Sequence, residues 1–155
     1  MKLRVVALGQ RMPAWVNAGW TEYARRLPPE FAVELIELKP EPRHGGQPVA
    51  RLLAAEAVRI GAACRNARVV ALDERGQPWT TRALAERLGR WRDEAADAAF
   101  VIGSADGLAE TVRQGAAAVV ALSALTLPHG LVRVIVAEQL YRASTLLAGH
   151  PYHRD

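Results

Sequence analysis

The last residues of the chain, HPYHRD, set an aromatic ring, an imidazole and a guanidinium side by side at Tyr152, His153 and Arg154. A ring can stack on a base, an imidazole moves protons near neutral pH, and a cation meets phosphate or carbonyl oxygens. Together they suit a nucleobase drawn out of its stack. They equally suit a frayed, solvated chain end, and the residue types alone leave both readings open. His150 and His153 stand three apart but have no second pair of ligands beside them, so no zinc site is expected. No Ser/His/Asp arrangement is legible, which disfavours hydrolysis by a nucleophilic triad.

Three other segments bear on chemistry through their backbone, and each follows a short apolar run. LDERGQPW, from Leu72, is a polar turn that serves equally well as a surface turn or as part of a site. GSADGLAE, from Gly103, has two glycines flanking a turn that opens a helix and leaves N–H groups free for a ligand. It matches neither a dinucleotide fingerprint nor a phosphate-cradling loop. LSALTLP, from Leu122, is apolar yet ends at Pro128, so it is expected to be a buried loop, with a strand continuing through Leu127 as the alternative.

The elements that must position these segments follow from periodicity. Leu3–Leu8, Ala32–Leu38, Arg68–Leu72, Ala98–Ile102 and Ala118–Leu122 favour strands. Pro13–Leu27, Val49–Ala63, Thr81–Trp91, Ala109–Gly115 and Leu131–Leu147 favour helices. Strict alternation with nearly continuous apolar strands predicts an α/β fold: a mainly parallel sheet of five or six strands with helices on both faces. Ligands of such sheets bind at the carboxyl ends of the strands, where the three segments begin. The loop KPEPRHGGQP, Lys39–Pro48, reads as a mobile surface loop or as one that touches RNA.

Composition bounds the class. The chain has 155 residues, half of them apolar and 23% charged, as in one ordinary globular domain, which excludes disorder and small disulfide scaffolds. A single domain over residues 1–155 is expected. Cys64 is the only cysteine, which precludes an intrachain disulfide and suits packing. Arginine supplies 18 of the 20 basic residues in a chain of net charge +4, permitting a nucleic-acid partner without demanding one. The longest apolar stretch, Leu122–Leu147, is interrupted by Pro128, His129, Arg133, Glu138 and Arg142, so no membrane span is expected. Without a recognisable signal peptide at the N-terminus, a cytoplasmic location is expected.

The last helix is apolar on more than one face, with Val132, Ile135, Val136, Leu140, Ala143 and Leu147 on one side and Leu131, Val134, Ala137 and Tyr141 widening it. One sheet cannot cover that surface, so a partner copy is an attractive cover. Glu138 and Arg142, four apart, can pair along the remaining polar face. His129 follows a proline at the helix start and reads as a capping or packing residue.

The run LSALTLPHGLVRVIVAEQLYRA, the tail HPYHRD, the upstream VIGSADGL and the opening KLRVVALGQRMPAW resemble the SPOUT class of methyltransferases, specifically its ribosomal RNA enzymes. The resemblance runs from Met1 to Asp155. It implies a C-terminal trefoil knot, a homodimer through the C-terminal helix region, and S-adenosyl-L-methionine as cofactor without a metal. It implies methylation of N3 of a pseudouridine in 23S rRNA within the assembled ribosome. Carried over residue by residue, it assigns cofactor contacts to Leu72, Gly103, Leu122, Ser123, Ala124, Leu125, Thr126 and Leu127. The imide nitrogen of the acceptor must lose its proton, which points to His153 for proton handling. Tyr152 would position the base, with Arg142 and Arg154 on phosphate or carbonyl oxygens. The chain departs from the family at Ser104, where a second glycine is usual. Two rivals remain at this point: a non-catalytic ribosome- or RNA-binding module on the same fold, and a small-molecule α/β enzyme using another nucleotide.

Overall fold

A computed structural model describes residues 1–153, the side chain of His153 excepted. Five strands, β1 (Leu3–Leu8), β2 (Val33–Leu38), β3 (Ala67–Pro78), β4 (Asp97–Ile102) and β5 (Ala118–Ala121), form one sheet in the order β2-β1-β4-β3-β5. Every pairing between neighbouring strands is parallel. The helices are α1 (Ala14–Ala24), α2 (Val49–Ala63), α3 (Thr81–Asp93), α4 (Glu110–Gly115) and α5 (His129–Ala148), with 3-10 turns at Pro29–Phe31 and Pro151–His153.

Alternation along the strands divides the core in two. Val5, Ala7, Val70 and Phe100 pack with Trp20 of α1, Leu88 and Trp91 of α3 and Leu140 of α5. Val6, Leu8, Ala71 and Val101 turn to the other face, against Ile60 of α2 and Leu108 ahead of α4. Helices therefore cover both faces, as the unbroken apolar strands require. The central strands β1 and β4 are almost wholly buried, whereas the edge strand β2, VELIEL, exposes Glu34 and Glu37. Thr80 caps α3 by accepting a 3.0 Å hydrogen bond from the Ala83 N–H, and Gly149, at φ 69°, ends α5 in the left-handed conformation.

Two expectations are corrected. The segment after Leu72 is not simply a turn: β3 resumes and runs to Pro78, with residues 73–76 bulging between two pairings to Val120. Gly76 permits this because a Cβ there would stand 2.5 Å from the Val120 nitrogen. The loop after β5 is not buried: Leu122 is 37% and Leu125 76% exposed, and the strand ends at Ala121. Its apolar side chains overhang a cavity instead of filling the core.

Candidate functional site

The carboxyl ends of the adjacent strands β4, β3 and β5 open into a cavity of about 700 Å³, within the range of small-ligand and cofactor sites. Leu72, Gly103, Leu122, Ser123, Leu125, Thr126 and Leu127 line it, and Ala124 does not. One wall is the turn after β4. Gly107 adopts φ 82° and its N–H donates to the Ser104 carbonyl at 2.9 Å. A Cβ on Gly103 would stand 2.7 Å from the Gly107 carbonyl group, so only glycine lets this turn close. The opposite wall is the loop from Leu122, where the Ser123 hydroxyl accepts from the Leu125 N–H at 2.9 Å.

At the rim, the Asp73 carboxylate takes the backbone N–H of Arg75 at 2.9 Å and its Nε at 3.0 Å. Burial pushes this carboxyl up, but those hydrogen bonds, with the charges of Arg75 and Arg113, outweigh it and hold Asp73 below the usual carboxylate range.

The other residues expected to do chemistry gather elsewhere. Tyr152 folds back on α5, its ring 4.5 Å from that of Tyr141 and its hydroxyl donating to Glu138 Oε1 at 3.1 Å. Arg142 lies 4.9 Å from the Tyr152 ring centre and donates to the same Glu138 oxygen at 2.8 Å. The pair read as lying on a polar face thus anchors the tail, and both side chains are part-buried. The Glu138 hydrogen bond raises Arg142, while burial and then Glu138 raise the Tyr152 phenol. Arg154 and the His153 side chain lie outside the described residues. Val132 is the last residue of α5 on the cavity lining, and at a rise of about 1.5 Å per residue the six to ten steps from it to Glu138 and Arg142 place this cluster roughly 9–15 Å further along the helix, with neither Arg142 nor Tyr152 on the lining. One chain therefore does not bring Arg142 and Tyr152 to its own cavity.

Comparison with known proteins agrees along the whole length. A family described as predicted SPOUT methyltransferase matches residues 1–153. The chain is 56% identical to "Ribosomal RNA large subunit methyltransferase H" of Nitrosospira multiformis and 54% identical to the protein of that name from Burkholderia mallei, covering 99% of each chain in both cases. The chain belongs to the SPOUT methyltransferase family. Among solved structures, its fold resembles a probable methyltransferase from Bordetella pertussis (TM-score 0.58, 21% identity, 92% of this chain and 95% of that one). It also resembles a probable methylase family protein from Haemophilus influenzae (TM-score 0.60, 17% identity, 95% and 66%).

In this SPOUT methyltransferase the cavity floor rests on a buried network that the sequence did not reveal. Arg133 of α5 is 0% exposed. Its Nη1 donates to Glu37 of β2 at 2.6 Å, its Nη2 to the Gly9 carbonyl at 2.8 Å, and its Nε to His129 Nε2 at 3.0 Å. Because Nε2 must accept, the proton sits on Nδ1, which donates to the Gly103 carbonyl at 3.0 Å. His129 is thus held as one neutral tautomer. Burial lowers its pKa, the Gly103 carbonyl partly opposes this, and Arg133 lowers it further. His129 does not cap α5: it ties the helix to the strand end that carries Gly103. The available clue was a lone arginine in an otherwise apolar helical stretch, but its partners are distant in sequence. Among the described residues no cluster of His, Cys, Asp or Glu has the makings of a metal site, and no helix is long and apolar enough to cross a membrane.

Proposed function

We propose that this methyltransferase transfers a methyl group from S-adenosyl-L-methionine to N3 of a pseudouridine in 23S rRNA, acting on the assembled ribosome as a homodimer in the cytoplasm. The observation that carries this reading is the cavity itself: three segments from adjacent strand ends meet there, in a chain similar over its whole length to proteins named as ribosomal RNA methyltransferases.

The residues present fit the donor. Leu72, Leu122 and Leu127 offer apolar walls for an adenine ring, while Gly103 and the backbone from Leu122 to Leu127 offer hydrogen-bonding groups beside it. Ala124, outside the cavity wall, would contribute through the shape of its loop. Bound there, S-adenosyl-L-methionine supplies an electrophilic methyl on a sulfonium leaving group. The protein's work is alignment and proton handling. His153 takes the N3 proton of the flipped base, Tyr152 stacks on or braces that base, and Arg142 and Arg154 hold phosphate or carbonyl oxygens and favour the deprotonated ring.

The length of α5 between the cavity and Arg142 supports a composite site, in which one protomer supplies the donor pocket and its partner the C-terminal cluster. Mixing Gly103→Val protein with Arg142→Ala protein tests this. Each variant alone should methylate ribosomes poorly, and the mixture should recover roughly a quarter of the wild-type sites, since half the dimers would be mixed and each would hold one intact site. Failure of the mixture to exceed either parent argues for a site within one chain. Wild-type protein that neither binds S-adenosyl-L-methionine in calorimetry nor methylates ribosomes sinks the whole reading.

A further inference from the structure

The β2–α2 loop, residues 39–48, is exposed over most of its length but is tied down at Lys39 and Glu41, by Arg59 of α2, and again at Arg43. Arg43 reaches from it to the turn after β4: its Nε donates to Asp106 Oδ2 at 2.8 Å and its Nη2 to Ser104 Oγ at 2.7 Å. Behind both lies Glu56 of α2, a carboxylate only 2% exposed that does not border the cavity. Its Oε2 accepts from the Glu41 N–H at 2.8 Å and from Arg43 Nη1 at 3.1 Å. Its Oε1 accepts from the Ser104 hydroxyl at 2.8 Å and from Arg43 Nη2 at 3.3 Å. The hydroxyl has one proton, which goes to Glu56, so it receives the guanidinium on its lone pair. Serine at this position therefore completes a closed arrangement that glycine could not.

The turn so held has little stiffness of its own, with glycines at both ends and Gly107 at positive φ. Yet Gly103, Ser104, Asp106 and Gly107 form one wall of the cavity. A wall built from backbone binds well only if its shape is set before the ligand arrives.

We infer that Arg43, Glu56 and Ser104 form a positioning clamp that presets the 103–107 turn for the methyl donor, making the β2–α2 loop a support of donor binding and not an RNA contact. The inference rests on the cavity being the donor site. Arg43 acts through Ser104 and Asp106, so its removal should show in donor affinity before it shows in turnover.

Arg43→Ala should weaken S-adenosyl-L-methionine binding about tenfold, the size of one charge-assisted hydrogen bond passed on through a preset wall. It should leave the KM for ribosomes and the kcat at saturating donor near wild type. Arg43→Lys should stay close to Arg43→Ala, because an ammonium cannot span Asp106, Ser104 and Glu56 at once. Ser104→Gly should cost affinity in the wild-type background and little more in Arg43→Ala, since the two share one linkage. A readout without donor accompanies these: the Gly107 amide, bonded to the Ser104 carbonyl, should exchange its proton faster in Arg43→Ala while the amides of β1 are unchanged. Donor affinity in Arg43→Ala within about twofold of wild type overturns the clamp, as does unchanged Gly107 exchange or a rise confined to the ribosome KM. Wild-type protein that binds no donor overturns the cavity reading, and the clamp with it.

Discussion

Arg133→Met tests the buried network under the cavity, because methionine keeps much of the length and volume of arginine while removing every donor. Three hydrogen bonds disappear, to Glu37, Gly9 and His129. Glu37 is 37% exposed and recovers water, so its share is small. The Gly9 carbonyl is buried and has no such recourse, and a buried acceptor left without a donor costs about 1–3 kcal/mol; His129 is half-buried and borders the cavity, so its Nε2 costs less. Relief from desolvating the guanidinium offsets part of this. The net destabilisation should be roughly 2–3 kcal/mol, at or below the low end of the about 3–5 kcal/mol typical of breaking a buried ion pair from one side. For a chain of this length that is a fall in Tm of about 5–10 °C. Urea unfolding and calorimetry at a fixed protomer concentration measure it, since dimerisation would otherwise shift the midpoint. Glu37→Gln, which leaves the guanidinium its other two acceptors, should cost about 1 kcal/mol. If Arg133→Met unfolds within about 1 kcal/mol of wild type, the network does not hold this end of the sheet.

Three further outcomes are expected. His129 has its pKa lowered below the ordinary 6.5 in the folded protein, so the unfolded chain binds its proton more readily. Its contribution to stability is complete above 6.5 and declines as pH falls from there through the folded value, and urea midpoints measured against pH should show a shallower slope in Arg133→Met. Gly76→Ala should destabilise by at least about 2 kcal/mol, because the new Cβ meets the β5 backbone at 2.5 to 2.6 Å and no side chain can yield; a neutral result in urea would place the bulge elsewhere. Cys64 is buried, and desolvation pushes its thiol up to about 11, so a thiol reagent at pH 8 should label it only as fast as the protein opens, with an immediate reaction counting against that burial.

Strand and helix positions were legible wherever a local period existed. VVAL and FVIG mark strands covered on both faces, and Val49–Ala63 holds its pattern from end to end. Legibility failed where the outcome depended on a neighbour across space. After Leu72 the chain shows polar turn residues, yet β5 lies close enough for β3 to resume, and only the missing Cβ of Gly76 allows it. The loop from Leu122 to Pro128 looked apolar enough to be buried, but apolarity alone does not say whether a side chain meets the core or the mouth of a cavity.

What the sequence by itself determined is therefore the alternating α/β order, the parallel sheet and the three strand ends that border the cavity, since each is written in hydrophobic period and turn chemistry within a few residues. The knot had no such period and entered only through family resemblance. Tertiary structure alone decided that Arg133 is buried against Glu37 and Gly9, that Arg43 reaches Ser104, and that Tyr152 packs on α5 and not on the cavity lining. These contacts join residues 14 to 124 positions apart, and their free energy exists only once the chain has closed the distance between them.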